Sequence, residues 1–490
     1  MKIRSASSLV LLVIAFQFVL KVSVAQLQQN YYPLKAYSSS SEVLLSILQA
    51  QFNQEFAQKS QEVKKIISKR EDYLINQVKR SAFIQNDSLE EYIASVIKNI
   101  VNTNPSIPRR IRTILITKNP IVNAACFGKG IYIVNIGLLA RITTEDQLAF
   151  TLAHEIAHDE LNHIIKKIEE EAEIKMANRT KEQIKKIVTG KIELEDIEDY
   201  RKVIYGISRY SREMEMQADS MAIALLGNTH YDKNDAFSMF DILDLPFTPN
   251  YPFDEDVFIP FHTERFPFQL DWLNERPSVL SRKNEGNFMI WGDSIRSHPT
   301  MELRKEKLSN LIRAQDGTIN TGRRTLYSAN FTDKMEFETV ESCYFQKRYD
   351  WCLFHALQLL RRYPKNQYLV AMIGRIFIDL YKAKNENVFQ TYVSLYTINY
   401  SPELRLVNNF LFNLSTKELG ELCYYFITNE NHFNTGNPYH CYLIWEISEQ
   451  TYRFGEAKKI SSYCKKQFNR SIQEFAYNDT RIELGKRRRK

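Results

Sequence analysis

Two histidines four residues apart with a glutamate beside the first, His154-Glu155-Ile156-Ala157-His158, constrain this chain more than any other stretch of it. On an α-helix that spacing stacks both imidazoles on one face, where they reach a single ion. Glu155 then lies one step round the helix, placed to take a proton from an attacking water as the general base of a zinc hydrolase. The flanking residues predict that this helix is buried. Thr144 and Gln147 form a capping box, and the pairs Leu148/Ala149, Leu152/Ala153 and Ile156/Ala157 recur every four residues. A core helix holding two histidines and a glutamate must satisfy them through one another or through a metal, because unpaired buried polar groups cost free energy.

A third metal ligand has to come from elsewhere, and Ser211 to Asp219 is the best candidate, with Glu215 and Asp219 four residues apart on a second helix. One carboxylate can bind the ion while the other accepts the free N–H of a ligating imidazole and fixes its tautomer. His163 does not share the face of His154 and reads as an ordinary histidine at a helix end. Upstream, residues 42–104 read as helices, with Ser88 and Glu91 as a second capping box. Three β-rich pieces follow, Ile111–Thr117, Ile121–Phe127 and Ile131–Asn135, the last two joined by Gly128-Lys129-Gly130 as in a hairpin. An edge strand of such a sheet can hold an extended peptide by backbone hydrogen bonds.

In order along the chain, NAACFGKGIYIVNIGLL (Asn123–Leu139), HEIAH, SREMEMQAD (Ser211–Asp219) and SHPTMELR (Ser297–Arg304) resemble the pattern of metallopeptidase family forty-eight, over about residues 85–310. This gluzincin family includes membrane prenyl proteases, HtpX-like membrane proteases and BepA-like soluble periplasmic protease-chaperones. The resemblance implies one zinc ion per chain held by His154, His158 and Glu215, with Glu155 as the base and Asp219 behind a ligating imidazole. It also puts Asn123, Ala124 and Ala125 on the substrate-facing strand. His298 falls where such proteins often carry a histidine near the metal, there to stabilise the oxyanion or to latch the site; the other reading is a surface residue before Pro299. One departure is Asn162, which stands before His163 where many relatives have arginine.

The expected fold is α+β. A mainly helical gluzincin peptidase domain with a small β-sheet occupies 42–316, and an all-α tetratricopeptide-like domain occupies 335–480. The second expectation rests on Tyr349-Asp350-Trp351-Cys352 followed by RRYPKN, and on Phe454-Gly455-Glu456-Ala457, marks 105 residues apart and near three ~34-residue periods. Such arrays present concave surfaces for peptides or partners. Between the two, a stretch rich in Pro, Phe and Trp is either a lid-like insertion, about 245–293, or an aromatic wrap that fills the core.

Lys2, Arg4, the apolar run Leu9–Leu20 and Ser23-Val24-Ala25 read as a secretory signal peptide over 1–25, and no later run reaches ~18 apolar residues. The expectation is an exported protein, periplasmic or secreted, with no integral membrane segment after signal cleavage. The net charge of +7 comes from that leader and from the basic tail within 481–490, Lys486 to Lys490, so the body is near neutral. That balance argues against a nucleic-acid-binding surface. The six cysteines, five of them beyond residue 340, are either paired in the C-terminal part or free and buried. The function expected is that of an exported zinc-dependent endopeptidase acting on misfolded or misassembled envelope proteins. A chaperone role and assembly partners engaged through the C-terminal helices would accompany it. The alternative is a chaperone or scaffold with a latched or structural zinc site.

Overall fold

The computed structural model of the chain describes residues 27–52, 59–173, 212–244, 249, 251, 253–275, 301–314, 324, 326, 330–394, 400–429, 431, 432, 434 and 436–476. The leader, His298 and the basic tail lie outside the described residues. The chain divides into two compact units, one of Lys35–Pro246 with Gly286–Tyr327, the other of Phe247–Glu285 and Ser328–Lys490 with Met1–Leu34.

In the first unit, α1 (Glu42–Phe52) and α2 (Gln61–Lys79) lead to β1 (Phe83–Ile84), α3 (Asp87–Thr103), β2 (Thr113–Thr117), β3 (Ala124–Gly128) and β4 (Ile131–Asn135). Then come α4 (Ile136–Leu139), α5 (Glu145–Glu160), a helical segment over 163–173, α6 (Arg212–Gly227), α7 (Asp235–Asp244) and α8 (Met301–Ala314). The sheet runs β1-β2-β4-β3, with β2 and β4 parallel and both outer strands antiparallel to their neighbours. The predicted hairpin joins β3 to β4. Gly128, Lys129 and Gly130 all take positive φ (94°, 55° and 75°), a conformation that glycine adopts without steric cost. Leu115, Phe127 and Ile131 pack with Leu44, Leu48, Leu74 and Val78, so the helices ahead of the sheet complete its core.

The cap of helix α3 lies two residues before the expected one. The Asn86 side chain accepts from Leu89 N–H at 2.9 Å and Glu90 accepts from Asn86 N–H at 3.2 Å, which leaves Ser88 inside the first turn. Helix α5 carries both halves of the predicted Thr144/Gln147 capping box, and every residue from Asp146 to Asp159 except Thr151 is buried. It packs against α3, α6, α7 and β3, which is why the apolar pairs alone did not define one face of it.

The second unit holds α9 (Phe331–Phe345), α10 (Tyr349–Arg362), α11 (Gln367–Asn385), α12 (Pro402–Asn413), α13 (Thr416–Thr428), α14 (Pro438–Gln450) and α15 (Phe454–Phe468). Helix α9 packs on α10, α10 on α11 and α12, α11 on α13, and α14 on α13 and α15, and the Phe-rich stretch completes their core. Phe261, in a 3-10 turn over Glu255–Phe261, stacks on Phe410 at 5.5 Å and meets Phe377 and Phe426 edge-on at 5.2 Å each. The Asn413 amide donates to the carbonyls of Trp272 and Asn274. The described part of the lid-like insertion is therefore core material of the helical unit, the aromatic wrap of the two readings. All six cysteines are buried and free. Among the described residues no helix is long and apolar enough to cross a membrane.

Candidate metal centre

Helix α5 supplies His154, Glu155 and His158, and α6, packed along it, supplies Glu215 and Asp219. The Nε2 atoms of His154 and His158 stand 2.9 Å apart, with the two Glu215 carboxylate oxygens 3.5 Å and 3.6 Å from them. Donors around a tetrahedral zinc at ~2.0–2.1 Å lie roughly 3.3 Å from one another. The three groups thus hold corners of such a polyhedron, and two imidazoles with a carboxylate are a donor set that suits the ion. They are the one group of histidine, cysteine and acidic residues among the described residues arranged to hold a metal.

The nitrogen of each imidazole that faces away from this point is also engaged. His154 Nδ1 lies 2.9 Å from Asp219, and Asp219 takes a bidentate fork from Arg304 on α8 at 2.7 Å and 2.6 Å. Arg304 is buried, with its guanidinium 4.5 Å over the Phe240 ring. Burial by itself raises the Asp219 pKa, but the Arg304 fork and His154 outweigh it and hold the carboxyl below its ordinary value. Burial likewise works against protonation of His154, yet Asp219 and Glu215 lift its pKa to about 10. Of the two, Glu215 lies on the Nε2 side, where its charge favours a cation. On the other side, His158 Nδ1 lies 2.9 Å from His163 Nδ1, and His163 Nε2 lies 3.1 Å from Gln217 Oε1. Because Gln217 Oε1 can only accept, His163 donates through Nε2 and accepts at Nδ1, so His158 carries its proton on Nδ1 and presents a bare Nε2 to the metal position.

Glu155 is held at the sheet. Its Oε2 accepts the Cys126 N–H at 2.6 Å, which brings the carboxylate to the backbone of β3, an edge strand. Ala124 and Ala125 pair with Val134 and Ile133 on β4, and the Asn123 carbonyl accepts from Asn135 N–H at 3.1 Å. Beside His158, a cavity of about 210 Å³ opens between Ile67, Phe127, Ile164 and Ile168.

Residues 84–312 match the family model described as Peptidase family M48. This stretch is an M48 peptidase domain. A curated relative, the mitochondrial metalloendopeptidase OMA1 of Arabidopsis thaliana, is 25% identical over 130 residues, which is 26% of this chain and 25% of the relative. The match thus spans a quarter of that protein's length.

Within the M48 domain the structure brings together His154, Glu155, His158, Glu215 and Asp219, with Asn123, Ala124 and Ala125 on or beside the adjacent strand. It adds three residues that the sequence reading did not place there. Arg304 closes the expected SHPTMELR motif, and that position was its only signal. His163, read as a helix-end residue, is fully buried against His158. Asp159 accepts from Gly130 N–H, the Tyr132 hydroxyl and Arg110 at 3.2 Å, 2.9 Å and 2.8 Å, tying the end of α5 to the hairpin.

Proposed function

We propose that the M48 domain is a zinc-dependent endopeptidase with one zinc held by His154, His158 and Glu215. The observation that carries this reading is the convergence of those three groups beside a carboxylate, Glu155, anchored on an edge strand. A zinc ion there supplies Lewis-acid polarisation of the scissile carbonyl and a lowered pKa for water. Glu155 takes the proton of the attacking water and passes it to the leaving amine. The free edge of β3, from Asn123 to Ala125, holds the substrate backbone, and the cavity beside His158, lined by both apolar and charged side chains, takes one of its side chains. The endopeptidase named in the relative supports cleavage within a chain. His298 remains a proposed oxyanion donor or latch.

Export, envelope proteins as substrates and a docking or chaperone role for the C-terminal helices are proposed on the sequence features alone: the leader, the absence of a later apolar run and the helical marks beyond residue 335. Metal analysis with peptide-cleavage assays tests the core of the reading. Glu155→Gln is expected to retain one zinc per chain while cleavage of an unstructured protein such as casein falls by about 10²–10⁴-fold, the range for loss of general-base catalysis. Cleavage at the wild-type rate by that variant would remove Glu155 from the chemistry.

A further inference from the structure

The stretch Pro108–Arg112 and the outer side of α3 enclose a groove of about 280 Å³ that the peptidase reading leaves unused. Ile97 and Ile114 contribute apolar lining, and Lys98, Arg109, Arg110 and Arg112 supply cations. Two acidic residues answer them: Arg110 pairs with Asp159 at 2.8 Å and with Glu160 at 2.7 Å, and Arg112 with Glu160 at 3.1 Å. Lys98 and Arg109 have no polar partner among the described residues, so the groove keeps a positive surplus. The Arg112 side chain is only 7% exposed, and its buried Nε, like that of Arg110, has no hydrogen-bond acceptor.

Between those arginines, Ile111 is 77% exposed. Its backbone is held in place: a Cβ on Gly130 would come 2.6 Å from the Ile111 carbonyl oxygen, Thr113 N–H donates to the Gly130 carbonyl at 2.8 Å, and Arg112 donates to the Pro108 carbonyl at 3.1 Å. A large apolar side chain, next in the chain to Arg110 and Arg112, is thus exposed on a fixed backbone. Cations alone suit a free anion, whereas cations around an apolar lining with a projecting isoleucine suit an anion that carries acyl chains. We propose that this groove binds the headgroup phosphate of an anionic phospholipid, with Ile111 inserted among the acyl chains. Guanidinium forks match phosphate oxygens, and the surplus charge draws the groove to an anionic surface. The proposal does not depend on the catalytic reading.

Calorimetric titration of the full-length chain tests it, using dihexanoyl-phosphatidylglycerol below its micelle concentration, dihexanoyl-phosphatidylcholine and inorganic phosphate. The anionic lipid is expected to bind once per chain, and more tightly than either comparison ligand. Lys98→Gln with Arg109→Gln should weaken that binding about 25-fold, at about fivefold per cation. Ile111→Ser should weaken binding of the lipid and leave that of inorganic phosphate unchanged. Neither variant touches an ion pair among the described residues, and an unchanged melting temperature checks that both fold. Three outcomes would overturn the proposal: inorganic phosphate binding as tightly as the lipid, equal affinity for the zwitterionic lipid, or undiminished binding by the double variant.

Discussion

At the proposed ligands, the groups behind the two imidazoles differ in charge, and so do the consequences of losing them. Asp219 is an anion stabilised by Arg304 in a fully buried position, so Arg304→Met leaves a carboxylate without its countercharge. That change is expected to cost about 3–5 kcal/mol of stability and, by loosening His154, to lower metal affinity about 10–100-fold. Thermal unfolding and chelator competition measure the two effects, and a variant unchanged in both would show that Asp219 does not need Arg304. In the helical unit a different histidine responds to acid. Burial depresses the pKa of His440 to about 4, against a hydrogen bond to the Gln367 carbonyl that favours the charged form. The neutral ring is the folded form, so its contribution is fully present above about pH 6.5 and is lost as the pH falls toward 4, up to about 3 kcal/mol. The urea midpoint is expected to drop between pH 7 and pH 5 in the native chain and to drop less in His440→Gln.

Among the elements, β2, β3, β4 and the α5 helix lie in the stretches their residue periods mark, because alternation and capping act over a few residues. The two-residue β1, by contrast, falls inside 42–104, which reads as helical, and is held by its pairing with β2. The turn Glu255–Phe261 is not marked in this way either, since Pro260 lies inside it and its phenylalanines follow no helical period. Its fate was set by what it packs against. Phe261 is buried among Phe377, Phe410 and Phe426, and Phe261→Ala is expected to destabilise the helical unit by about 3–5 kcal/mol through loss of burial and an unfilled cavity. Equilibrium unfolding followed by far-ultraviolet circular dichroism reads this directly. A change below about 1 kcal/mol, the range of exposed positions, would mean that the turn is not core.

For the whole molecule, the division into units runs against chain order. A boundary near residue 335 suggests that a chain cut at Asp333 leaves an intact peptidase. The structure argues otherwise, because Phe258, Phe261 and Trp272 precede the cut while their aromatic partner Phe410, and with it Phe377 and Phe426, follows it. The truncated chain is expected to expose these rings and to aggregate, as light scattering would register, whereas deletion of 247–285 together with 328–490 should scatter less. A monodisperse Asp333 truncation would count against this assignment. The sequence by itself determined the His154/His158 pair, the Glu215/Asp219 pair, the hairpin and the α+β class, because each depends on spacings within one helix or one turn. Only the tertiary structure decided that Arg304 answers Asp219 from 85 residues away, that His163 turns back onto His158, and that the Phe-rich stretch belongs with later helices. Those pairings come from burial, where a charge or ring must find its complement among whichever elements pack beside it, and no local period records which these will be.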